Sequence, residues 1–173
     1  MERSGLLQLA GKDVTIIGPD VTVGQTAPEF TAQAPDWSMV KPLEATKGKV
    51  RIIAAMPSLA TGTCDAETRR FNQEASSLSE DIVIIGVTTD LPYLLKKWCE
   101  AAGVDKVMVV SDHIDANFGE SYGTLVKERR ILRRAVFVVN KEGKVVYAAY
   151  MPALGEQPNY DEVLAAAKDA LKN

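Results

Sequence analysis

Val50-Arg51-Ile52-Ile53-Ala54-Ala55-Met56 runs through Pro57-Ser58-Leu59-Ala60-Thr61-Gly62-Thr63 into Cys64-Asp65-Ala66-Glu67-Thr68-Arg69-Arg70-Phe71. The first seven residues carry the continuous apolar pattern of a strand covered on both faces, and Pro57, with no N–H to give a ladder, stops it. The next segment repeats at helical spacing: Cys64, Thr68, Phe71, Ala75 and Leu78 fall at i, i+4, i+7, i+11 and i+14. Cys64 is therefore placed at the carboxyl end of a buried strand and the start of the next helix. Free amides and the positive end of the helix macrodipole favour negative charge there, and the thiolate is the nucleophilic form of cysteine.

Working outward, Ile82–Val87 is a second continuous apolar run, and Val107–Val110 is a third, shorter one. Between them Asp90 is placed to cap a helix running to about Ala102, with Pro92 in its first turn and Gly103 as its stop. Ala116–Tyr122 has room for one or two helical turns. Ala135–Val139 and Lys144–Ala149 flank a turn containing Gly143 and read as a hairpin. The last helix starts at Asn159, with Glu162 at capping-box spacing and Tyr160, Val163, Leu164, Ala167 and Leu171 inward. Upstream, Leu6–Leu9 and Val14–Ile17 form a small hairpin, and short edge strands are predicted near Glu29–Ala34 and Met39–Leu43. This order specifies an α/β chain: a central mixed β-sheet flanked by helices, thioredoxin-like, with an added N-terminal β-hairpin within residues 1–25. The expectation is one domain over residues 1–173.

Bulk properties exclude several functions. A net charge of −3 gives no basic field for nucleic acid, and the basic run Lys127–Arg134 reads as a solvated loop. No apolar run reaches the roughly 20 residues that span a bilayer, and the N-terminal residues lack a signal peptide's apolar region, so a cytoplasmic location is expected. Two cysteines, Cys64 and Cys99, with His113 the sole histidine, are too few for a disulfide framework or a Cys/His zinc site. No metal and no bound organic cofactor is expected.

The candidate site is the crevice beyond the strand ends, where open α/β sheets bind ligands. Pro57 ends the strand and shields the pocket, and the Thr61 hydroxyl both donates and accepts hydrogen bonds. Arg133 and Arg134, just before the strand Ala135–Val139, are the candidates for a guanidinium facing Cys64; side chains alternate faces, so only one of the two faces it. Trp37, Met39 and Phe30 are candidates for an interface or a substrate rim.

Pro57-Ser58-Leu59-Ala60-Thr61-Gly62-Thr63-Cys64, with Glu67-Thr68-Arg69-Arg70-Phe71-Asn72, closely resembles the bacterial thiol peroxidase branch of the peroxiredoxins. Asp90-Leu91-Pro92, Trp98-Cys99, Ser111-Asp112 and Arg134-Ala135-Val136-Phe137 add to the resemblance, which runs from about Val14 to Leu171. It implies a peroxidatic Cys64 that attacks a hydroperoxide and becomes a sulfenic acid. It also implies that Cys99 resolves this as an intramolecular disulfide, which thioredoxin reduces. Pro57, Thr61 and Arg134 map onto the family's pocket, and a homodimer is implied. Ala60, Gly62 and Thr63 depart from the family's aspartate, proline and valine, and Gly62 predicts a freer loop.

Cys99, near the end of its helix, is expected to be the less acidic thiol, and pairing cysteines from two separate helices calls for local unwinding. A general disulfide oxidoreductase usually spaces its cysteines as C-x-x-C, which this chain lacks. A redox sensor or binding module using the Cys64–Cys99 pair without turnover is the alternative.

Overall fold

The computed structural model describes residues 1–75, 77–103 and 107–172; the side chain of Ala75, one of the predicted inward positions, lies outside the described residues. In chain order the elements are β1 (Glu2–Leu9), β2 (Lys12–Ile17), β3 (Ala32–Gln33), β4 (Met39–Val40), α1 (Pro42–Ala45), β5 (Val50–Ala55), α2 (Gly62–Ala75), β6 (Ile82–Thr88) and α3 (Pro92–Ala102). They continue as β7 (Val107–Ser111), α4 (Asn117–Ser121), β8 (Leu125–Val126), β9 (Ile131–Leu132), β10 (Ala135–Val139), β11 (Val145–Tyr150) and α5 (Tyr160–Leu171). Among the described residues, no helix is long and apolar enough to cross a membrane.

The central sheet has the order β11-β10-β5-β6-β7-β3-β4. Strands β5, β6 and β7 are parallel, and β10 joins β5 antiparallel, so the sheet is mixed as expected. Strand alternation sorts its side chains into two layers. Val50, Ile52 and Ala54 of β5, Ile82 and Ile84 of β6, and Val136 and Val138 of β10 pack with Phe71 of α2 and Val163, Leu164 and Ala167 of α5. Ile53, Ala55, Ile85, Val87, Ala135 and Phe137 face the other way, onto Leu43 of α1, Phe118 of α4 and Phe30. Phe30 is thus a core residue, edge-on to Phe118 at 4.8 Å, and not part of a rim.

The N-terminal hairpin turns through Ala10 and Gly11, both at positive φ (52° and 76°), the combination that matches the twist of a two-residue hairpin. Contrary to the reading of Lys127–Arg134 as a solvated loop, Leu125–Val126 just before it and Ile131–Leu132 within it form β8 and β9. These extend the hairpin into a second, four-stranded sheet, β1-β2-β8-β9. The pairs are too short to leave a periodic signal, and their partner β2 is more than a hundred residues away.

Two predicted helix starts differ in detail. The residue before α3 is Leu91, with no side-chain cap, and Asp90 is turned instead onto the loop between β5 and α2. Gly103 ends that helix in the left-handed conformation at φ 65°. At α5 the Asn159 side chain accepts from the Glu162 N–H, but the Glu162 carboxylate accepts from the Tyr147 hydroxyl and leaves the capping box half-closed. Asp112 accepts from the N–H groups of Phe118 and Gly119, which secures the first turn of α4. We expect Asn159→Ala to cost about 1 kcal/mol, read as a lower urea midpoint with unchanged slope.

Candidate active site

The loop between β5 and α2 is held by hydrogen bonds that compensate for Gly62. Thr61 stands at the N-cap of α2: its Oγ1 accepts from the Cys64 N–H at 3.3 Å and donates to the Ser58 carbonyl at 3.0 Å. The Thr61 N–H donates to the same carbonyl. Asp90 then ties this loop to the end of β6. Its carboxylate accepts from the Ser58 hydroxyl at 2.6 Å, from the Leu59 N–H at 2.8 Å and from the Thr88 hydroxyl at 3.0 Å. These three bonds are what Asp90 makes in place of capping α3.

Cys64 is the third residue of α2, and its side chain is fully buried among Met56, Leu59, Leu95, Trp98 and Val109. Pro57 is buried beside the end of β5. One polar group breaks this apolar wall: Arg134 Nη2 lies 3.1 Å from Cys64 Sγ. Arg134 precedes β10 on the face shared by Val136 and Val138, the α2 side of the sheet, which is why it and not Arg133 reaches the sulfur. Arg133 points to the opposite side, pairing with Asp20, donating to the Gly123 carbonyl and stacking 4.1 Å from the Tyr150 ring centroid.

Arg134 is 1% exposed and its other nitrogens are engaged. Nε donates to the Leu154 carbonyl at 3.0 Å and Nη1 donates to Glu67 Oε1 at 3.1 Å. Glu67 is a site residue that the sequence reading left without this partner. It is completely buried, and its Oε2 has no hydrogen-bond partner among the described residues. Burial pushes the Glu67 carboxyl up to about 7, against the pull of Arg134. One guanidinium thus stands between two groups able to carry negative charge.

Cys99 lies in α3, half-buried against the same apolar cluster, and both cysteines are free thiols. Burial pushes its thiol up, with a smaller contribution from Glu100. It is therefore held toward the neutral thiol, by desolvation first rather than by its place near the helix end. The neighbours of the two cysteines meet: Trp98 Nε1 donates to Asp65 Oδ1 at 2.7 Å. Arg69 pairs with Asp65, and Arg70 stacks on the Tyr160 ring at 4.1 Å.

A profile of the Redoxin family matches residues 22–164. The chain is 46% identical over 162 residues to a thiol peroxidase of Bacillus subtilis (strain 168), covering 94% of this chain and 96% of that protein. Among solved structures, a peroxiredoxin-like protein from Aquifex aeolicus superposes with a TM-score of 0.84 at 36% identity, covering 96% of this chain and 98% of that one. A thiol peroxidase from Chromobacterium violaceum superposes at 0.83 with 18% identity over 96% of this chain and 97% of its own, a likeness of fold alone.

The buried Glu67 makes stability depend on pH with a definite sign. Its carboxyl holds a proton up to about 7 when folded, against an ordinary value of 4.5. Between those values the folded chain keeps a proton that the unfolded chain has lost, so stability falls as pH rises through the window. Denaturant unfolding of the parent chain and of Glu67→Gln should differ by an amount that declines from pH 4.5 to pH 7, by at most ~1.4 kcal/mol per pH unit. A flat difference would contradict the assignment.

Proposed function

The chain belongs to the Redoxin family and is a thiol-dependent peroxidase, and on that premise we propose that Cys64 is its peroxidatic nucleophile, with hydrogen peroxide and organic hydroperoxides as substrates. The observation that carries this reading is the 3.1 Å contact between Arg134 Nη2 and Cys64 Sγ inside an otherwise apolar wall. A guanidinium at that distance stabilises charge on the sulfur before attack and on the departing oxygen during it.

The thiolate attacks the terminal peroxide oxygen, the S–O bond forms, and the O–O bond breaks with its electron pair leaving on the distal oxygen. That oxygen takes up a proton and departs as water or an alcohol, leaving Cys64 as a sulfenic acid. Pro57 and the apolar wall exclude water from the sulfur. Thr61 fixes the first turn of α2 from the loop side, which aims the Cys64 side chain. Glu67 holds Arg134 by its second nitrogen, so that the fork stays turned to the sulfur. Because Cys64 is sealed, a hydroperoxide arrives only as Leu59 or a neighbouring covering side chain swings away.

Cys99 then condenses with the sulfenic acid, water leaves, and a thioredoxin dithiol reduces the disulfide. Two free thiols fit a reducing, cytoplasmic location. The chain acts as a homodimer whose contact uses an apolar patch beside the site. Trp37, Met39, Leu91 and Tyr93 are exposed there, and the Trp37 and Tyr93 rings meet edge-on at 5.2 Å.

Peroxide consumption coupled to thioredoxin, thioredoxin reductase and NADPH tests the reading. Cys64→Ser should abolish turnover. Arg134→Lys, which keeps the charge but loses the fork, should lower kcat/KM by about 10- to 100-fold. Oxidation of one equivalent without turnover would instead identify a sensor. Sedimentation should show a dimer that Tyr93→Glu shifts toward monomer; a parent chain that is monomeric at micromolar concentration would remove the dimer from the proposal.

A further inference from the structure

We propose that the Asp65–Trp98 hydrogen bond is a latch between the two cysteine-bearing helices, and that these positioning residues set how fast oxidised Cys64 is resolved by Cys99. The inference rests on the reading of Cys99 as the resolving thiol.

Asp65 directly follows Cys64 on α2, and Trp98 directly precedes Cys99 on α3. The indole N–H donates to Asp65 Oδ1 at 2.7 Å. Arg69 Nε donates to both oxygens of the same carboxylate at 3.0 Å, and its guanidinium lies 5.6 Å from the Trp98 ring centroid. The three side chains bind the helices at the two positions beside the reacting sulfurs. The indole itself is buried among the residues that cover Cys64, whereas the Asp65 side chain is 36% exposed and that of Arg69 47%. Water is therefore at hand to replace the carboxylate's partners when the helices part, so the latch opens without stranding a buried charge.

Resolution requires that parting. The Cys99 thiolate attacks Cys64 Sγ, the S–S bond forms and the S–O bond breaks. The departing hydroxide takes the proton that Cys99 gave up and leaves as water. Cys99 is oxidised as the Cys64 sulfenic sulfur is reduced to the disulfide level. Both cysteines start inside helices, so the turn that carries one of them has to unwind, and movement of the first turn of α2 or the last turn of α3 pulls Asp65 away from Trp98. While the latch holds, the sulfenic acid waits, and a second hydroperoxide can carry it to the sulfinic acid. The latch thus partitions Cys64 between the disulfide and overoxidation.

The test uses the full chain with Trp98→Phe, which keeps an aromatic ring in the cluster but has no N–H to donate. After one equivalent of hydrogen peroxide, quenched samples are resolved by mass spectrometry into sulfenic, disulfide and sulfinic forms. Disulfide formation should be about three- to ten-fold faster than in the parent chain. The sulfinic fraction at excess peroxide should fall in step. Arg69→Ala, an exposed change, should move both readouts the same way by a smaller factor. In a Cys99→Ser background, Arg69→Ala, which leaves the wall around Cys64 intact, should leave the sulfinic rate unchanged; a rise there would mean a merely loosened pocket and would overturn the latch. Disulfide formation that is unchanged or slower in both single variants would also overturn it. A parent chain that forms no Cys64–Cys99 disulfide would instead remove the resolving role on which the latch depends.

Discussion

One buried guanidinium organises the candidate site. Arg134 is surrounded by protein, its Nη2 on the Cys64 sulfur and its Nη1 on the Glu67 carboxylate, each at 3.1 Å. Taking such a cation out of water is costly unless its donors are met and a counter-charge is close. Two groups can supply that counter-charge, and the site neutralises itself with only one of them ionised. If both are anionic, a net negative charge sits in apolar surroundings, with Glu67 Oε2 lacking any partner among the described residues. Burial has pushed the Glu67 carboxyl toward its neutral form, which leaves Arg134 facing the sulfur.

The rest of the fold supplies the placement this pairing needs. Register pairs Ala135 with Ala55, so Arg134 emerges beside Met56, at the strand end from which the Pro57–Thr61 loop departs. Parity along β10 then turns it to the α2 side, and the same parity sends Arg133 to Tyr150 and Asp20. A one-residue slip of that register would exchange the two arginines and leave the sulfur in an apolar pocket with no cation. Phe71 locks the other side by anchoring α2 in the core between the sheet and Tyr160.

Much of this was legible in the residues, for physical reasons that also mark the limits. The strands Val50–Ala55 and Ile82–Thr88 and the helices α2, α3 and α5 announce themselves through local periodicity and end signals, such as Gly103 and Asn159. Alternation showed that only one of Arg133 and Arg134 faces Cys64; choosing between them from the strand alone required knowing which sheet face α2 covers, a tertiary fact. Asp90 was read as a helix cap because a carboxylate before Leu-Pro fits that role locally. Its real partners, Ser58 and Leu59, lie about thirty residues upstream and leave no trace in spacing. Glu67 did leave a local signal: three residues after Cys64 and four before Phe71, it lies on the inward stripe of α2, away from Arg69 and Arg70, whereas its partner Arg134 is brought to it only by the fold. The strands β8 and β9 escaped notice because two-residue pairs carry no period.

On the proposed mechanism the start of α2 answers to two opposed demands, and the distribution of its contacts reconciles them. Attack on a peroxide needs a sulfur held in one place, whereas disulfide exchange needs that sulfur to travel. Upstream of Phe71, many of the contacts holding the turn are polar ones near the surface: Thr61 on Ser58, Asp65 on Arg69 and Trp98. Such bonds are geometrically strict while they last, yet each can be traded for one to water at a net cost of about 1 kcal/mol. At Phe71 the helix is anchored by apolar burial, which water cannot replace. The exposed polar contacts are directional but cheap to exchange, whereas the buried Glu67–Arg134 pair and the apolar cover of Cys64 hold the sulfur in place, so the two demands fall on different sets of contacts.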